Sequence, residues 1–132
     1  MQPRPDSLAA IARESATFAE FGRHVRDFLR EWHRAQVARR DLAPLLGAEP
    51  RRLASQFDGG DVSDAFLAAL ACHLAGEARI DAPFWAASPG RCLPQPWFPL
   101  ESSPARTWLE RAALPEFRRR NVFIDASALA RA

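Results

Sequence analysis

Arg26 and His33 are the two residues of this chain whose types and spacing fit catalysis. They lie seven residues apart in the segment RDFLREWH, and on an α-helix this spacing puts two side chains on nearly the same side. A neutral histidine can accept the proton of a ribose hydroxyl, and an arginine can stabilise the charge that develops on the attacked phosphate. The pair therefore suggests RNA cleavage; the alternative is that both residues are exposed and structural.

Arginine supplies every basic side chain other than histidine, and several arginines are contiguous. Guanidinium groups bind phosphates and carboxylates through paired hydrogen bonds. The net charge of the chain is only +2, so nucleic-acid binding would require a local basic patch. The candidate patches are the pair Arg39 and Arg40, the pair Arg51 and Arg52, and the triplet Arg118, Arg119 and Arg120.

The two arginine pairs lie within the segment RRDLAPLLGAEPRRLASQF, whose residue pattern resembles that of a helix-turn-helix. It predicts short helical turns at residues 42–46 and 51–57, separated by a turn at Gly47. Such a motif would make the two pairs DNA-binding residues. Pro44 opposes a regular first helix, so DNA binding and plain helical packing both remain open.

Cys72 and Cys92 are the only cysteines. Neither takes part in the tight spacings that hold two ligands on one zinc ion. Two thiols in a chain without a secretion signal are expected to be reduced and buried. We expect no metal site and no cofactor.

The apolar periodicity predicts an all-α, single-domain helical bundle over residues 1–132. The clearest helix spans residues 17–40, where Thr17 and Glu20 have capping-box spacing. Other helices are predicted at residues 6–14, at 61–76 with Asp61 or Ser63 as cap, at 103–114 with Ser103 as cap, and at 125–132. In the predicted helix at 103–114, Trp108 is expected to face inward. The apolar face of the predicted helix at 17–40 is formed by Phe18, Phe21, Val25, Phe28, Leu29 and Trp32.

Residues 83–99, here called the strap, are rich in proline and tryptophan. Proline has no backbone donor, so the strap is predicted to be an extended crossing segment rather than a central strand. Its rings Trp85, Trp97 and Phe98 either form a stacking platform for single-stranded nucleic acid or a peptide, or clamp the strap to the helices. Only NVFI, at residues 121–124, is a candidate strand, and it is very short.

No apolar stretch approaches the roughly 20 residues of a membrane-spanning helix, and the first residues lack the apolar block of a signal peptide. These features predict a cytoplasmic protein. The final apolar residues Phe117, Val122, Phe123 and Ile124 are expected to anchor the C-terminal tail. Replacing the arginine triplet with alanine should then leave folding nearly intact.

The segments DAFLAALACHLA, IDAPFWAASPGRCLPQPWF and SPARTWLERAALPEFRRRNVFIDASALARA carry a family resemblance. They resemble a group of bacterial proteins with a helix ending LAALAEHLA, a PAW…PWF strap and a PAxFRRRxxFxxAxxLxRA tail. The similarity covers residues 62–131 and, more weakly, residues 17–35. Members are encoded beside nucleotidyltransferase-like genes of toxin-antitoxin and abortive-infection modules, some with a repressor-type helix-turn-helix at the N-terminus.

This resemblance implies a non-enzymatic, antitoxin-like regulator that binds a nucleotidyltransferase-like toxin, with the arginine triplet as the partner-binding site. A DNA-binding transcriptional regulator is the alternative. A third hypothesis is a ribonuclease toxin, since RDFLREWH is similar to the motif of the higher-eukaryote-and-prokaryote nucleotide-binding family, an arginine and then a histidine after four to six residues. Nucleic acid as a partner and self-association of the chain also remain open.

Overall fold

The computed structural model describes residues 4–99 and 102–130. Of Ala130 it describes only the backbone. Within these ranges the chain forms α-helices joined by turns, and its one β-feature is an isolated parallel bridge between Trp97 and Val122. The predicted all-α class is confirmed. The helices are α1 (Leu8–Glu14), α2 (Phe18–Val37), α3 (Ala43–Gly47), α4 (Gly60–Ala78), α5 (Ser103–Ala112), α6 (Pro115–Arg118) and α7 (Ala126–Ala130).

Helix α4 is the centre of the molecule. It packs against α2, α3, α6 and two 3-10 turns of the strap, Phe84–Ala87 and Pro89–Arg91. A helix that is covered on several sides needs apolar residues around most of its circumference. Small side chains at many of these positions let the neighbouring elements approach closely. The alanines buried on α4 are Ala65, Ala68, Ala69, Ala71 and Ala75.

Helix α2 is amphipathic, as its periodicity predicts. The Thr17 hydroxyl accepts a hydrogen bond from the backbone N–H of Glu20 at 3.1 Å, which caps the helix start. Phe18 differs from the prediction because it is 37% exposed. Its ring instead lies 6.1 Å from that of Trp97, edge to face, at the margin of the core.

The start of α4 differs from the sequence prediction. Neither Asp61 nor Ser63 is the cap; the cap residue is Gly59, in a left-handed conformation with φ of 88°. The helix then begins at Gly60, where a Cβ atom would overlap the backbone oxygen of Leu53. Glycine at position 60 is therefore required by a close approach between α4 and the preceding loop.

The Asp64 carboxylate joins α4 to that preceding loop. It is fully buried, and it accepts hydrogen bonds from the backbone N–H groups of Leu53 at 2.7 Å and Ala54 at 3.0 Å. It also accepts one from Nε of Arg52 at 3.0 Å. Nη1 of Arg91 lies 3.7 Å away. A buried carboxylate is tolerated only with such partners.

Arg91, which belongs to the strap, connects the strap to Asp64 and the loop before α4. Its guanidinium is 1% exposed and donates to the Pro50 carbonyl at 2.6 Å. It also lies 5.0 Å from the ring centre of Trp85, whose Nε1 donates to the Leu46 carbonyl at 3.0 Å. Burial lowers the pKa of Arg91, and the nearby Asp64 carboxylate opposes that shift. Asp64, Arg91 and Trp85 therefore tie α3, α4 and the strap together.

The strap is clamped to the protein. Trp85 is buried, Trp97 is half-buried, and Phe98 stacks on Phe123 with ring centres 4.8 Å apart. The packing interpretation is therefore favoured over a stacking platform. The backbone bond from Trp97 N–H to the Asn121 carbonyl, at 2.8 Å, joins the strap to the C-terminal tail.

The C-terminal tail docks as predicted. Phe117 and Val122 are fully buried and Ile124 is 4% exposed, while Phe123 is half-buried. Asp125 accepts a hydrogen bond from the Ser127 N–H at 3.2 Å at the start of α7. The two final residues of the predicted tail helix lie outside the described ranges.

Helix α5 corrects two further predictions. Its cap is Ser102, whose hydroxyl accepts from the Ala105 N–H at 3.3 Å, and not Ser103. Trp108 was expected to face inward, but it is 55% exposed, and only Leu109 of this helix is buried. No helix in the described part of the chain has both the length and the apolar character needed to cross a bilayer.

Two glycines of α4 give a matched test of the close approach at its start. Gly60→Ala should lower the free energy of unfolding by about 2–3 kcal/mol, because the added methyl group meets the Leu53 carbonyl. Gly76→Ala should raise it by about 0.5–1 kcal/mol, since that position has open space and lies inside the helix. Urea unfolding measures both; equal effects of the two substitutions would contradict the packing described.

Candidate functional site

Arg26 and His33 are not brought together in one site. Both are exposed on α2, and two helical turns separate them by about 10 Å along the axis. His33 has its Nδ1 3.3 Å from the Gln36 side-chain oxygen. Arg26 lines a mostly apolar groove of about 360 Å³ with Phe18 and Trp97, and His33 is not part of this groove. The geometry therefore does not favour a shared catalytic role.

The helix-turn-helix prediction is wrong in its second helix. Residues 51–57 form an irregular segment with a turn instead of a helix. The Arg51 guanidinium donates to the carbonyls of Ala12 at 2.9 Å and Ser15 at 3.1 Å. Besides its bond to Asp64, the Arg52 guanidinium donates to the Gly90 carbonyl at 2.7 Å. These two arginines thus fasten the loop to its neighbours.

The other arginine pair follows the end of α2. Arg39 and Arg40 are exposed, and Arg39 has a left-handed backbone with φ of 55°. Arg40 lines a surface pocket together with the acidic residues Asp6 and Glu31. Acidic neighbours weaken the attraction of this pair for phosphate. DNA binding by the arginine pairs stays a prediction, without the recognition helix that would present them.

The three arginines of the tail have different surroundings. Arg118 is exposed, and its Nη2 donates at 3.2 Å to the carbonyls of Arg111 and Ala113, at the end of α5. Arg120 is half-buried and donates to the carbonyls of Glu116 at 2.8 Å and Ala86 at 3.0 Å. Arg119 is exposed, and within the described residues its side chain makes no hydrogen bond or ion pair. Only Arg119 of the three has a fully available guanidinium.

The exposed ring of Trp108 and the exposed Arg118 and Arg119 belong to consecutive elements of the chain, α5 and the end of α6. The side chain of Arg118 reaches back to the last turn of α5, which also carries Trp108 and, three residues later, Arg111. We call Trp108, Arg111, Arg118 and Arg119 the α5–α6 corner. The segment 102–120 that contains it has five arginines and two glutamates, so much of the positive charge of the chain is concentrated there.

Both cysteines line a second site, a pocket of about 250 Å³ beside the corner. The prediction that both thiols are buried is wrong, because Cys72 is half-buried and Cys92 is exposed, and both are free. The guanidinium of Arg120 donates to Sγ of Cys72 at 3.4 Å. Sγ of Cys92 lies 3.6 Å from the Arg119 carbonyl. Across the described residues, no three histidine, cysteine or acidic side chains gather as metal ligands would.

Comparison of the chain with protein-family models, with curated proteins and with solved structures gave no significant match. The resemblance of the tail to proteins encoded beside nucleotidyltransferase-like genes therefore stays a prediction. Any assignment of function depends on the residues of the α5–α6 corner and the adjacent pocket.

The sequence analysis singled out Arg118 and Arg119 of the corner, but not Arg111 and not the exposure of Trp108. Ala105, Leu109 and Ala112 form the inward stripe of α5, with steps of four and three residues. Trp108 lies three residues after Ala105 and four before Ala112, so its spacing gave no sign that its ring would be exposed. The pairing of the two cysteines in one pocket had no sequence signal, because they are 20 residues apart on different elements.

Arg119 and Arg120 give a matched test of their different roles. The sequence led to the expectation that the triplet is dispensable for folding, and the bonds of Arg120 lead us to expect otherwise for that residue. Arg120→Ala should lower the free energy of unfolding by about 1–3 kcal/mol, because two carbonyls lose a charged donor. Arg119→Ala should change it by less than about 0.5 kcal/mol. Thermal or urea unfolding measures both, and an Arg120→Ala chain as stable as the unsubstituted protein would refute this assignment.

Proposed function

We propose that this chain is a non-enzymatic, antitoxin-like regulator that acts in the bacterial cytoplasm and binds a nucleotidyltransferase-like protein through its α5–α6 corner. Two observations carry the proposal: Trp108 is exposed on α5, and the exposed guanidinium of Arg119 makes no hydrogen bond or ion pair with the described residues. The resemblance of the strap and tail to proteins encoded beside such enzymes supplies the partner class. Within the triplet, Arg119 is the arginine that we assign to direct contact with the partner.

The composition of the corner is typical of a protein-binding centre. Tryptophan and arginine are the residue types most enriched where truncation strongly weakens a complex. A tryptophan ring that is 55% exposed leaves much apolar area in water. Burying that area against a partner would contribute about 25 cal/mol of favourable free energy per Å². Surrounding arginines would then set orientation and association rate.

The charge of the corner fits an acidic site on the partner. Enzymes that transfer nucleotides hold Mg²⁺ with a few carboxylates and with the phosphates of the substrate. Guanidinium groups bind carboxylates through paired hydrogen bonds, so Arg119 and Arg111 would occupy the position of the metal cations. Binding there would block entry of the nucleoside triphosphate and inhibit the partner.

The α6 side of the corner is also anchored to the core, and such anchoring reduces the entropy lost on binding. Arg118, the last residue of α6, donates to the carbonyls of Arg111 and Ala113 at the end of α5. Buried Phe117 lies against Phe66 of α4, with ring centres 5.0 Å apart. The exposed Arg119 thus extends from a backbone segment that Phe117 anchors to the core.

Binding to the product of the adjacent nucleotidyltransferase-like gene tests the proposal. In co-purification and calorimetry, the unsubstituted chain should form a complex with that protein. Trp108→Ala should weaken the complex about thirtyfold, a typical effect for a central aromatic residue. Arg119→Glu should weaken it similarly and reduce its dependence on salt.

Phe84→Ala and Arg40→Ala are the matched controls, since both side chains are exposed and lie outside the corner. They should leave the affinity within about twofold, as surface positions outside an interface do. Absence of a complex would contradict the choice of partner. A complex weakened equally by all four substitutions would contradict the choice of surface.

A further inference from the structure

The pocket beside the corner brings together the only two thiols of the chain. Cys72 belongs to the buried central helix α4, whereas Cys92 follows the second 3-10 turn of the strap. Both line the same pocket of about 250 Å³, with Arg119 and Arg120 between them. The contacts of the two sulfurs confirm this order: Cys72 Sγ meets the Arg120 guanidinium, and Cys92 Sγ meets the Arg119 carbonyl.

The surroundings of Cys72 are those of a reactive cysteine. Reactive thiols occupy electropositive, partly exposed positions, while inert structural thiols are buried in apolar surroundings. Cys72 is half-buried and opens to the pocket. A guanidinium at hydrogen-bond distance from its sulfur supplies positive charge and a donor for a polar reactant.

We propose that Cys72 and Cys92 form a peroxide-reactive thiol pair, with Cys72 as the attacking thiol and Cys92 as the resolving thiol. The assignment of roles follows from the contacts. Cys72 has the guanidinium of Arg120 beside its sulfur. Cys92 is exposed, so its thiol is accessible for attack on an oxidised Cys72.

The reaction balances with hydrogen peroxide as the oxidant. Sγ of Cys72 attacks one peroxide oxygen, the O–O bond breaks, and the leaving hydroxide takes the thiol proton to form water. The sulfenic acid at Cys72 is then attacked by Sγ of Cys92, which forms the disulfide and releases a second water. Arg120 donates to the peroxide and then to the sulfenic oxygen.

Closing the disulfide requires a local rearrangement. The two sulfurs flank residues 119 and 120, so Arg120 must release Cys72 and the strap around Cys92 must move into the pocket. The strap end is held to residue 120 by the bond from Leu93 N–H to its carbonyl, at 3.1 Å. The oxidised form therefore displaces the Arg119–Arg120 segment, which gives the pair a way to change the neighbouring surface.

Peptide mapping of the full chain tests the pair without any partner protein. Trypsin cleaves after arginine, so Cys72 and Cys92 fall in separate peptides, residues 53–79 and 92–106. After treatment with a small excess of hydrogen peroxide, the non-reduced digest should contain these two peptides joined. The mass of the chain should fall by two hydrogen atoms, and reduction should restore it.

Two single-cysteine variants, each compared with its own urea-unfolded state, distinguish the attacking thiol Cys72 from the resolving thiol Cys92. In Cys92→Ser, a sulfenic-acid probe such as dimedone should label Cys72, at a rate about tenfold above that of the same variant unfolded in urea. In Cys72→Ser, the remaining thiol should react no faster than when unfolded.

Three results would overturn the proposal: thiols that stay reduced, disulfides formed only between two chains, or labelling of Cys72 no faster in the folded than in the unfolded variant. Because none of these readouts uses a partner, they are independent of the proposed regulator function. Failure of the complex with the nucleotidyltransferase-like protein leaves the thiol result unchanged.

Discussion

One buried carboxylate, that of Asp64, is the constraint on which much of this structure depends. A fully buried anion is stable only where donors surround it, and Asp64 collects two backbone N–H groups and Nε of Arg52 at 2.7–3.0 Å. Arg91 then extends the junction to the strap. The irregular loop at residues 51–57 and the strap both lack a regular pattern of backbone hydrogen bonds. The contacts of Asp64 and Arg91 fix them to the central helix α4.

The candidate sites depend on this junction because the strap supplies their support. The strap carries Cys92, and it bonds through Leu93 and Trp97 to the backbone of residues 120 and 121. Those residues follow the arginines of the α5–α6 corner directly. A signal at the thiol pocket would therefore reach the corner through covalent neighbours and two backbone hydrogen bonds, with no need for a change in the helical core.

Local patterns of the sequence predicted the all-α class and helix α2, because periodicity and a capping hydroxyl act within one turn of the chain. Predictions failed where a distant partner decides the structure. The start of α4 is set by the Leu53 carbonyl against Gly60, and residues 51–57 stay non-helical while Arg51 bonds to Ala12, 39 residues away. The sequence analysis treated Arg120 like Arg118 and Arg119. Its structural role depends on a distant partner, the Ala86 carbonyl, which is 34 residues away. Asp64 did carry a local sign, because it is a charged residue between Val62 and Phe66 on the largely apolar helix α4.

Native-state hydrogen exchange at the amides of Leu53 and Ala54 tests the role of Asp64 most directly. These two amides lie in an irregular loop, where exchange is ordinarily fast. If the buried carboxylate fixes the loop to α4, both should exchange with a free energy within about 1 kcal/mol of that for interior α4 amides such as Leu67 and Leu70. Exchange as fast as that of the exposed neighbour Ser55 would contradict the account.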